Sequence, residues 1–545
     1  MPRVVGATLD TLVAEQMESS QILRQIGAIL ALTAGSGFFM FATRQTIIVA
    51  SRRIEEDLRN DFVAALRLQP QQFYHDRSTG SILAHASNDI AAVREFIGPA
   101  IMYSANTFTT FALAFTWMLQ LNLLLTAVIV VPIPFIAFTT YRLGRSIHAR
   151  YKDVQSQYDS VTTHAQETFS GVRVVRSYAR EEHENKRFEA LSRAYYSKNM
   201  RLARVNALMM PSMTVLFNIS YVAVIGIGGS QVMTGALTVG NLLQFFIYLN
   251  QLIWPIAAIG WVTGMIQRGA ASIGRLSTIM DAVPSIRDND STNHTLRQLA
   301  GDVTVHNVTL RFGQRTVLDD VSFHARAGAT IGIVGHVGSG KSSLVNLLPR
   351  LFDVSEGSVA IDGTDVRSIP LAVLRGAIAV VPQESFLFSD TIRENIRFGR
   401  PDASDDDVLR AARIAQLHDD VTSLRDGYDT VVGERGITLS GGQKQRTALA
   451  RAILSDPRIL ILDDALSAVD TDTEDRILSE LTSVFHGRTT FVIAHRISTV
   501  KRCTHILVLH NGRIVEQGTH DELVGFHGLY ADIHERQILE KDLES

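Results

Sequence analysis

The sequence predicts an α-helical membrane bundle followed by an α/β domain built around a phosphate-binding loop. Three observations carry that prediction. The first half holds apolar segments near the length that spans a bilayer, about 20 residues. The second half alternates short β-rich runs with helical stretches. Between an apolar run, 330–334, and a helical one, 343–348, lies Gly335-His336-Val337-Gly338-Ser339-Gly340-Lys341-Ser342-Ser343. A chain of 545 residues has room for several domains, and a net charge of -3 implies no bulk attraction to nucleic acid. One cysteine, Cys503, excludes an internal disulfide and reads as a buried, small apolar residue.

Five apolar segments centre on residues 26–49, 98–119, 123–141, 208–232 and 242–266. Residues 123–140 and 210–249 carry no charge at all, which argues against buried helices of a large globular domain. Pro132, Pro134, Pro211 and Pro255 interrupt the segments, as membrane helices tolerate. The second and third segments meet at Gln120-Leu121-Asn122, an uncharged turn, whereas Arg142, Arg145, Arg150 and Lys152 follow the third at once. The connection to Asn206 stays basic, so it is cytoplasmic and the short turn lies outside. Arg52, Arg53, Arg59, Arg67, Arg268 and Arg275 put the ends of the first and last segments inside as well. Residues 52–68 and 151–168 remain helical beyond the apolar stretch, with charge on one face and Leu, Val or Phe on the other. Breaks at Ser78-Thr79-Gly80 and Ser170-Gly171-Val172 interrupt these cytoplasmic extensions.

The predicted domains are a transmembrane domain at 1–280, a polar linker at 281–300 and an α/β domain at 301–545. Strands are expected at 301–312, 330–334, 358–361, 377–381, 458–462, 489–493 and 506–509, mostly parallel, with an antiparallel piece at the start.

The glycine loop has the physical requirements of a triphosphate site. Its glycines let successive N–H groups turn toward an anion, a helix N-terminus adds partial positive charge, and Lys341 adds a full one. Ser342 is placed to offer its hydroxyl to Mg²⁺ beside the phosphates. Asp463 and Asp464 end an apolar strand, and Asp463 would hold Mg²⁺, usually through water. Gln383 follows a strand and offers its amide to metal or water. His495 ends another strand at the carboxyl edge of the sheet. Leu439-Ser440-Gly441-Gly442-Gln443 opens a second helix, hence a second anion site with no second phosphate in the same chain to fill it.

In this order and behind a membrane half, these motifs resemble those of ATP-binding cassette (ABC) exporters with fused membrane and nucleotide domains, a type I exporter fold. The resemblance implies ATP and Mg²⁺ as ligands. It also implies two nucleotide domains facing head to tail, each ATP held by one chain's P-loop and the other's signature. It makes Gly335 through Ser343 the Walker A loop, Asp463 the Walker B aspartate, Gln383 the Q-loop residue, His495 the switch histidine and residues 467–470 the D-loop. Ser440 and Gly442, within a signature that includes Gly441 and Gln443, would grip the partner's γ-phosphate. Phe312 occupies the position that stacks on adenine. The two cytoplasmic breaks match coupling helices, the first docking on the partner's nucleotide domain.

Two departures stand out. The family places a glutamate after the Walker B aspartate to polarise the attacking water, and here Asp464 fills that position. Its carboxylate falls roughly 1.5 Å short, one C–C bond length. A base must come within about 2.6–3.2 Å of its target, and a 1 Å misplacement costs on the order of 10²-fold. Tight binding with slow hydrolysis is therefore expected, and an intact signature beside a weakened Walker B resembles one half of a heterodimeric exporter. Secondly, the family's first helix is expected to be truncated, with a start placed too late favoured over a true absence. The function implied is ATP-driven export of a hydrophobic or amphipathic substrate (drug, lipid or peptide) across a bacterial plasma membrane. The alternative is a regulatory or sensory membrane ATPase without flux.

Overall fold

The computed structural model describes residues 1–14, 19–433, 439–469 and 471–544. Met1–Ala65 with Gly80–Asp281 forms one compact unit, and Leu66–Thr79 with Ala282–Ser545 forms a second.

The first unit is entirely helical: α1 (Pro2–Val13), α2 (Ser19–Arg67, running two residues past the unit's edge), α4 (Thr79–Ala84), α5 (Ile90–Glu95), α6 (Ile101–Leu121), α7 (Leu123–Val130), α8 (Pro132–Ser170), α9 (Val172–Ser177), α10 (Glu181–Ala223), α11 (Gly229–Met233) and α12 (Val239–Met280). The short helix α3 (Gln71–His75) belongs to the second unit. At 49 residues, α2 is about 74 Å long at 1.5 Å per residue, more than twice a hydrocarbon core of about 30 Å. The cytoplasmic extensions expected of 52–68 and 151–168 are therefore real helix, continuous with the apolar stretches. Phe38, Phe39 and Phe41 on α2 are largely exposed, as a lipid-facing surface requires.

Four helical runs among the described residues are long and apolar enough to cross a membrane: Ser20–Arg67, Leu123–Ser170, Glu181–Met233 and Val239–Met280. The second expected segment is helix α6, which is not among the four; Ser104, Asn106, Thr107, Thr109, Thr110 and Thr116 dilute its apolar character. The tight turn after it forms as expected: Asn122 caps α7, its side-chain oxygen accepting from Leu125 N at 3.0 Å. Asp10 of α1 does the same for α12 across the fold, accepting from Gly240 N and Thr238 Oγ1, both at 2.7 Å.

The second unit holds two sheets. Strands β1 (Val303–Phe312), β2 (Arg315–Ala325), β4 (Glu356–Ile361) and β5 (Thr364–Asp365) form an antiparallel sheet in the order β2-β1-β4-β5. Strands β3 (Thr330–Val334), β6 (Ile378–Val381), β7 (Ile459–Asp463), β8 (Thr489–Ile493), β9 (His505–His510) and β10 (Arg513–Gly518) form the other, in the order β10-β9-β3-β8-β7-β6. Only β10 runs antiparallel in that sheet. Every residue of β7 and β8 is buried, β7 an apolar run that ends in Asp463 and β8 one that opens with Thr489 and Thr490. One core lies between the sheets, around Val305, Ile331, Ile461 and Phe491. Another, around Leu449, Leu462 and Ile477, packs beneath the helix Gly441–Leu454. Cys503 is buried in that second core, and burial pushes its thiol up to about 12.

Around the first cytoplasmic break, Leu66–Thr79 clusters with the nucleotide-binding unit of the same chain. Gln69 Nε2 donates to the Ala282 carbonyl at 2.8 Å, Phe73 is buried, and Pro70 and Gln72 line a small cleft with Phe312 and Phe352. Ser78 lies in the non-helical stretch between α3 and α4, and Thr79 and Gly80 start α4. The second break is different in kind: α9 buries no residue, and Phe169, Val174 and Tyr178 around it are largely exposed.

Candidate active site

The P-loop forms because β3 ends at Val334 and α13 (Lys341–Asn346) begins seven residues on. Gly340 caps α13 in the left-handed region at φ +100°, and a Cβ there would lie 2.8 Å from Leu318 Cδ2 and 2.9 Å from the Val317 carbonyl oxygen. Lys341 Nζ donates to the carbonyls of Gly335 and His336 at 2.8 and 2.9 Å. Burial pushes the Lys341 ammonium down in pKa, and the charges of Asp463 and Asp464 oppose that shift. The Ser339 hydroxyl is buried in the loop with no hydrogen-bond partner, a group that an incoming phosphate oxygen would satisfy.

Parallel pairing brings the remaining groups to the same edge. In register, Val381 of β6 faces Leu462 of β7, and Asp463 faces Ile493 of β8. Gln383, Asp463, Asp464 and His495, which end or follow these strands, thus converge above the P-loop. Together with Val337, Gly338, Gly340, Lys341, Ser342 and Ser343 they line one cleft of about 350 Å³. Burial raises the Asp463 carboxyl, while a hydrogen bond with the Ser342 hydroxyl lowers it. Ser342, Gln383 and Asp463 present one hydroxyl, one amide and one carboxylate, a hard-oxygen set that fits Mg²⁺ with phosphate oxygens and water completing the shell. Among the described residues no group of three His, Cys, Asp or Glu side chains offers a site for a softer metal.

Two sets of expected site residues lie elsewhere. Ser440, Gly441, Gly442 and Gln443 do not line the cleft. Ser440 caps the helix Gly441–Leu454, its hydroxyl accepting from Gln443 N at 3.3 Å while Gln443 Oε1 accepts from Ser440 N at 3.0 Å. Gly442 has no room for a side chain: a Cβ would stand 2.9 Å from the Ala468 carbonyl oxygen. Phe312 packs edge-on against Phe352 with ring centroids 5.1 Å apart, outside the phosphate cleft. His336 stands beside the His510 ring, centroids 6.1 Å apart. Of the D-loop, residues 467–469 are described and Asp470 lies outside the described residues.

Sequence reading missed two contributors. Arg315 of β2 lines the cleft and adds a second cation. Gln445 is buried and ties the signature helix to the D-loop: its Nε2 donates to Ser467 Oγ and its Oε1 accepts from Ala468 N, both at 3.0 Å. Its place two residues past the signature was the one available signal.

A P-loop cleft at the carboxyl edge of a mostly parallel sheet, in a chain with several membrane-length helices, defines a membrane-bound P-loop ATPase. The model of the ABC transporter transmembrane region matches residues 1–256, and that of the ABC transporter matches residues 318–467. The chain is 35% identical over 547 residues to the probable multidrug resistance ABC transporter ATP-binding/permease protein YheI of Bacillus subtilis, covering 99% of this chain and 92% of that one. It is 35% identical over 544 residues to the multidrug resistance-like ATP-binding protein MdlA of Escherichia coli (100% and 92%). It is 36% identical over 491 residues to the ATP-dependent lipid A-core flippase of Syntrophus aciditrophicus (90% and 81%). A solved bacterial Atm1-family ABC exporter with ATP bound superposes with a TM-score of 0.83 at 30% identity, over 98% of this chain and 95% of that one. The chain therefore belongs to the ABC exporters with fused transmembrane and ATP-binding domains, multi-pass membrane ATPases coupled to transport.

Proposed function

We propose that this chain is one half of an exporter that moves a hydrophobic or amphipathic substrate across the membrane by alternating access. Its transmembrane domain would occupy 1–280, its linker 281–300 and its nucleotide-binding domain 301–545. The relatives' names, multidrug resistance and lipid A-core flippase, support a drug-like or lipid-like cargo. ATP binds with its phosphates in the P-loop and its adenine over Phe312, and a second chain's signature closes the cleft. Ser342, Gln383 and Asp463 would hold Mg²⁺, which would supply charge withdrawal from the phosphate oxygens. Lys341 neutralises the phosphates, and His495 and Gln383 orient the γ-phosphate and the attacking water.

The observation that carries this reading is the separation within one chain: Lys341, Asp463, Asp464 and His495 share a cleft that Ser440 and Gly442 do not line. A second chain is needed to complete it. The exposed α9 supplies a free docking element for that partner. Because Asp464 replaces the longer glutamate, the chain's own cleft hydrolyses slowly. A heterodimer, in which this chain's signature serves a partner with a full-length base, uses both features.

Reconstitution of the assembled dimer in lipid vesicles tests the reading. ATP-dependent movement of a lipophilic cationic dye or a labelled lipid is expected. Hydrolysis without movement of any such probe would instead support the regulatory ATPase, which the same short Asp464 favours.

A further inference from the structure

His495 enters the cleft from a loop that has little support of its own. The helix after it, Ile497–Val500, is four residues long, and its N-cap, Arg496, makes no side-chain cap. The first N–H of such a helix is left without a partner unless another element supplies one. Here Gln537 supplies it, from the C-terminal helix Leu529–Glu544: Ile497 N donates to Gln537 Oε1 at 2.8 Å. The same amide turns back on the histidine, and Gln537 Nε2 donates to the His495 carbonyl at 2.6 Å. One side chain thus fixes the peptide groups on both sides of Arg496, using its only acceptor and a donor together. On the other face, Arg496 Nη1 donates to Glu474 Oε2 at 2.7 Å and Thr499 Oγ1 to Glu474 Oε1 at 2.5 Å. Glu474 is buried, so that anchor belongs to the core. Gln537 is half-buried on a helix that ends the chain.

We infer that Gln537 is a positioning residue for His495, so that docking of the C-terminal helix onto the nucleotide-binding unit sets how well this cleft hydrolyses ATP. This rests on the reading of His495 as a group used in hydrolysis. Gln537 touches no nucleotide and acts only through the backbone that carries the imidazole. Its loss leaves the P-loop untouched, so binding is spared while turnover falls. A displacement of the imidazole by a fraction of an ångström is enough for about a tenfold effect, given that 1 Å costs on the order of 10²-fold.

The test uses the assembled dimer with Asp464→Glu on this chain and the partner's P-loop disabled, so that this chain's own cleft is the one that turns over. In that background Gln537→Leu, Gln537→Glu, His495→Ala and the double variant His495→Ala/Gln537→Leu are assayed for kcat and KM of ATP hydrolysis. Gln537→Leu is expected to lower kcat about tenfold with KM within about twofold. Gln537→Glu, which keeps the acceptor for Ile497 N, is expected to recover part of the loss. With His495→Ala already present, Gln537→Leu is expected to change nothing further. If Gln537→Leu leaves kcat unchanged, or lowers it equally in the His495→Ala background, the link between Gln537 and His495 is overturned. If His495→Ala itself leaves kcat unchanged, the reading of His495 fails and the inference falls with it.

Discussion

In the proposed exporter Asp464 limits hydrolysis, because its backbone is already committed. Its N–H donates to the Ile493 carbonyl at 2.9 Å and its φ is +50°, so the residue cannot slide forward to recover the missing methylene. In dimers whose partner P-loop is disabled, Asp464→Glu is therefore expected to raise turnover at this chain's own cleft by about 10- to 100-fold, with KM for ATP little changed, as read by phosphate release. Asp464→Asn is expected to remain at or below the native rate. Lys341, Ser342, Asp463, Gln383 and His495 were legible in the sequence because strand, loop and helix order dictates where they arrive, and the cleft gathers all five. Gln445 and Gln537 were not. Each is an amide on a helix, and its partners lie on other segments 22 to 42 residues away, so no spacing announces the contact.

At the scale of elements, the sequence was clearest where burial is two-sided. Strands β3, β7 and β8 appear as apolar runs close to their observed bounds. Strand β2 went unread for a local reason: its pairing with β1 shifts register, and Asp320 sits at φ +54° and Asn307 at +45°, so its alternation is broken by bulges. The π-helical turn His85–Asp89 was equally hidden. It carries Asp89, a buried carboxylate that accepts from Arg275 Nε at 3.0 Å and Ser272 Oγ at 2.8 Å, beside His85 at 2.6 Å. The hydrogen bond from Arg275 outweighs burial and holds this carboxyl well below the usual carboxylate range. A folded-state pKa below the unfolded value of about 3.9 makes the stabilisation complete at neutral pH. It is lost as pH falls below about 4. Asp89→Asn is expected to cost about 2 kcal/mol at pH 7 and to flatten the acid limb of a Tm-versus-pH profile recorded in detergent. An unchanged Tm at pH 7 would mean that Asp89 and Arg275 do not hold these helices together.

For the whole molecule, the decisive fact is that one chain carries both halves of a nucleotide sandwich without closing it on itself. The cleft has its lysine, its metal-fitting oxygens and its histidine, and the signature glycines are packed against Ala468 instead. A second chain is the simplest source of the missing wall, and in the proposed heterodimer the short Asp464 would make the two clefts of that pair unequal. The most direct measurement is ATP hydrolysis by the proposed heterodimer, assembled with a single lesion on this chain. Lys341→Ala empties only the slow cleft and is expected to leave at least about half of the activity, whereas Gly442→Asp spoils the wall of the fast one and is expected to remove nearly all of it. Loss of hydrolysis with Lys341→Ala while Gly442→Asp is spared would contradict the account.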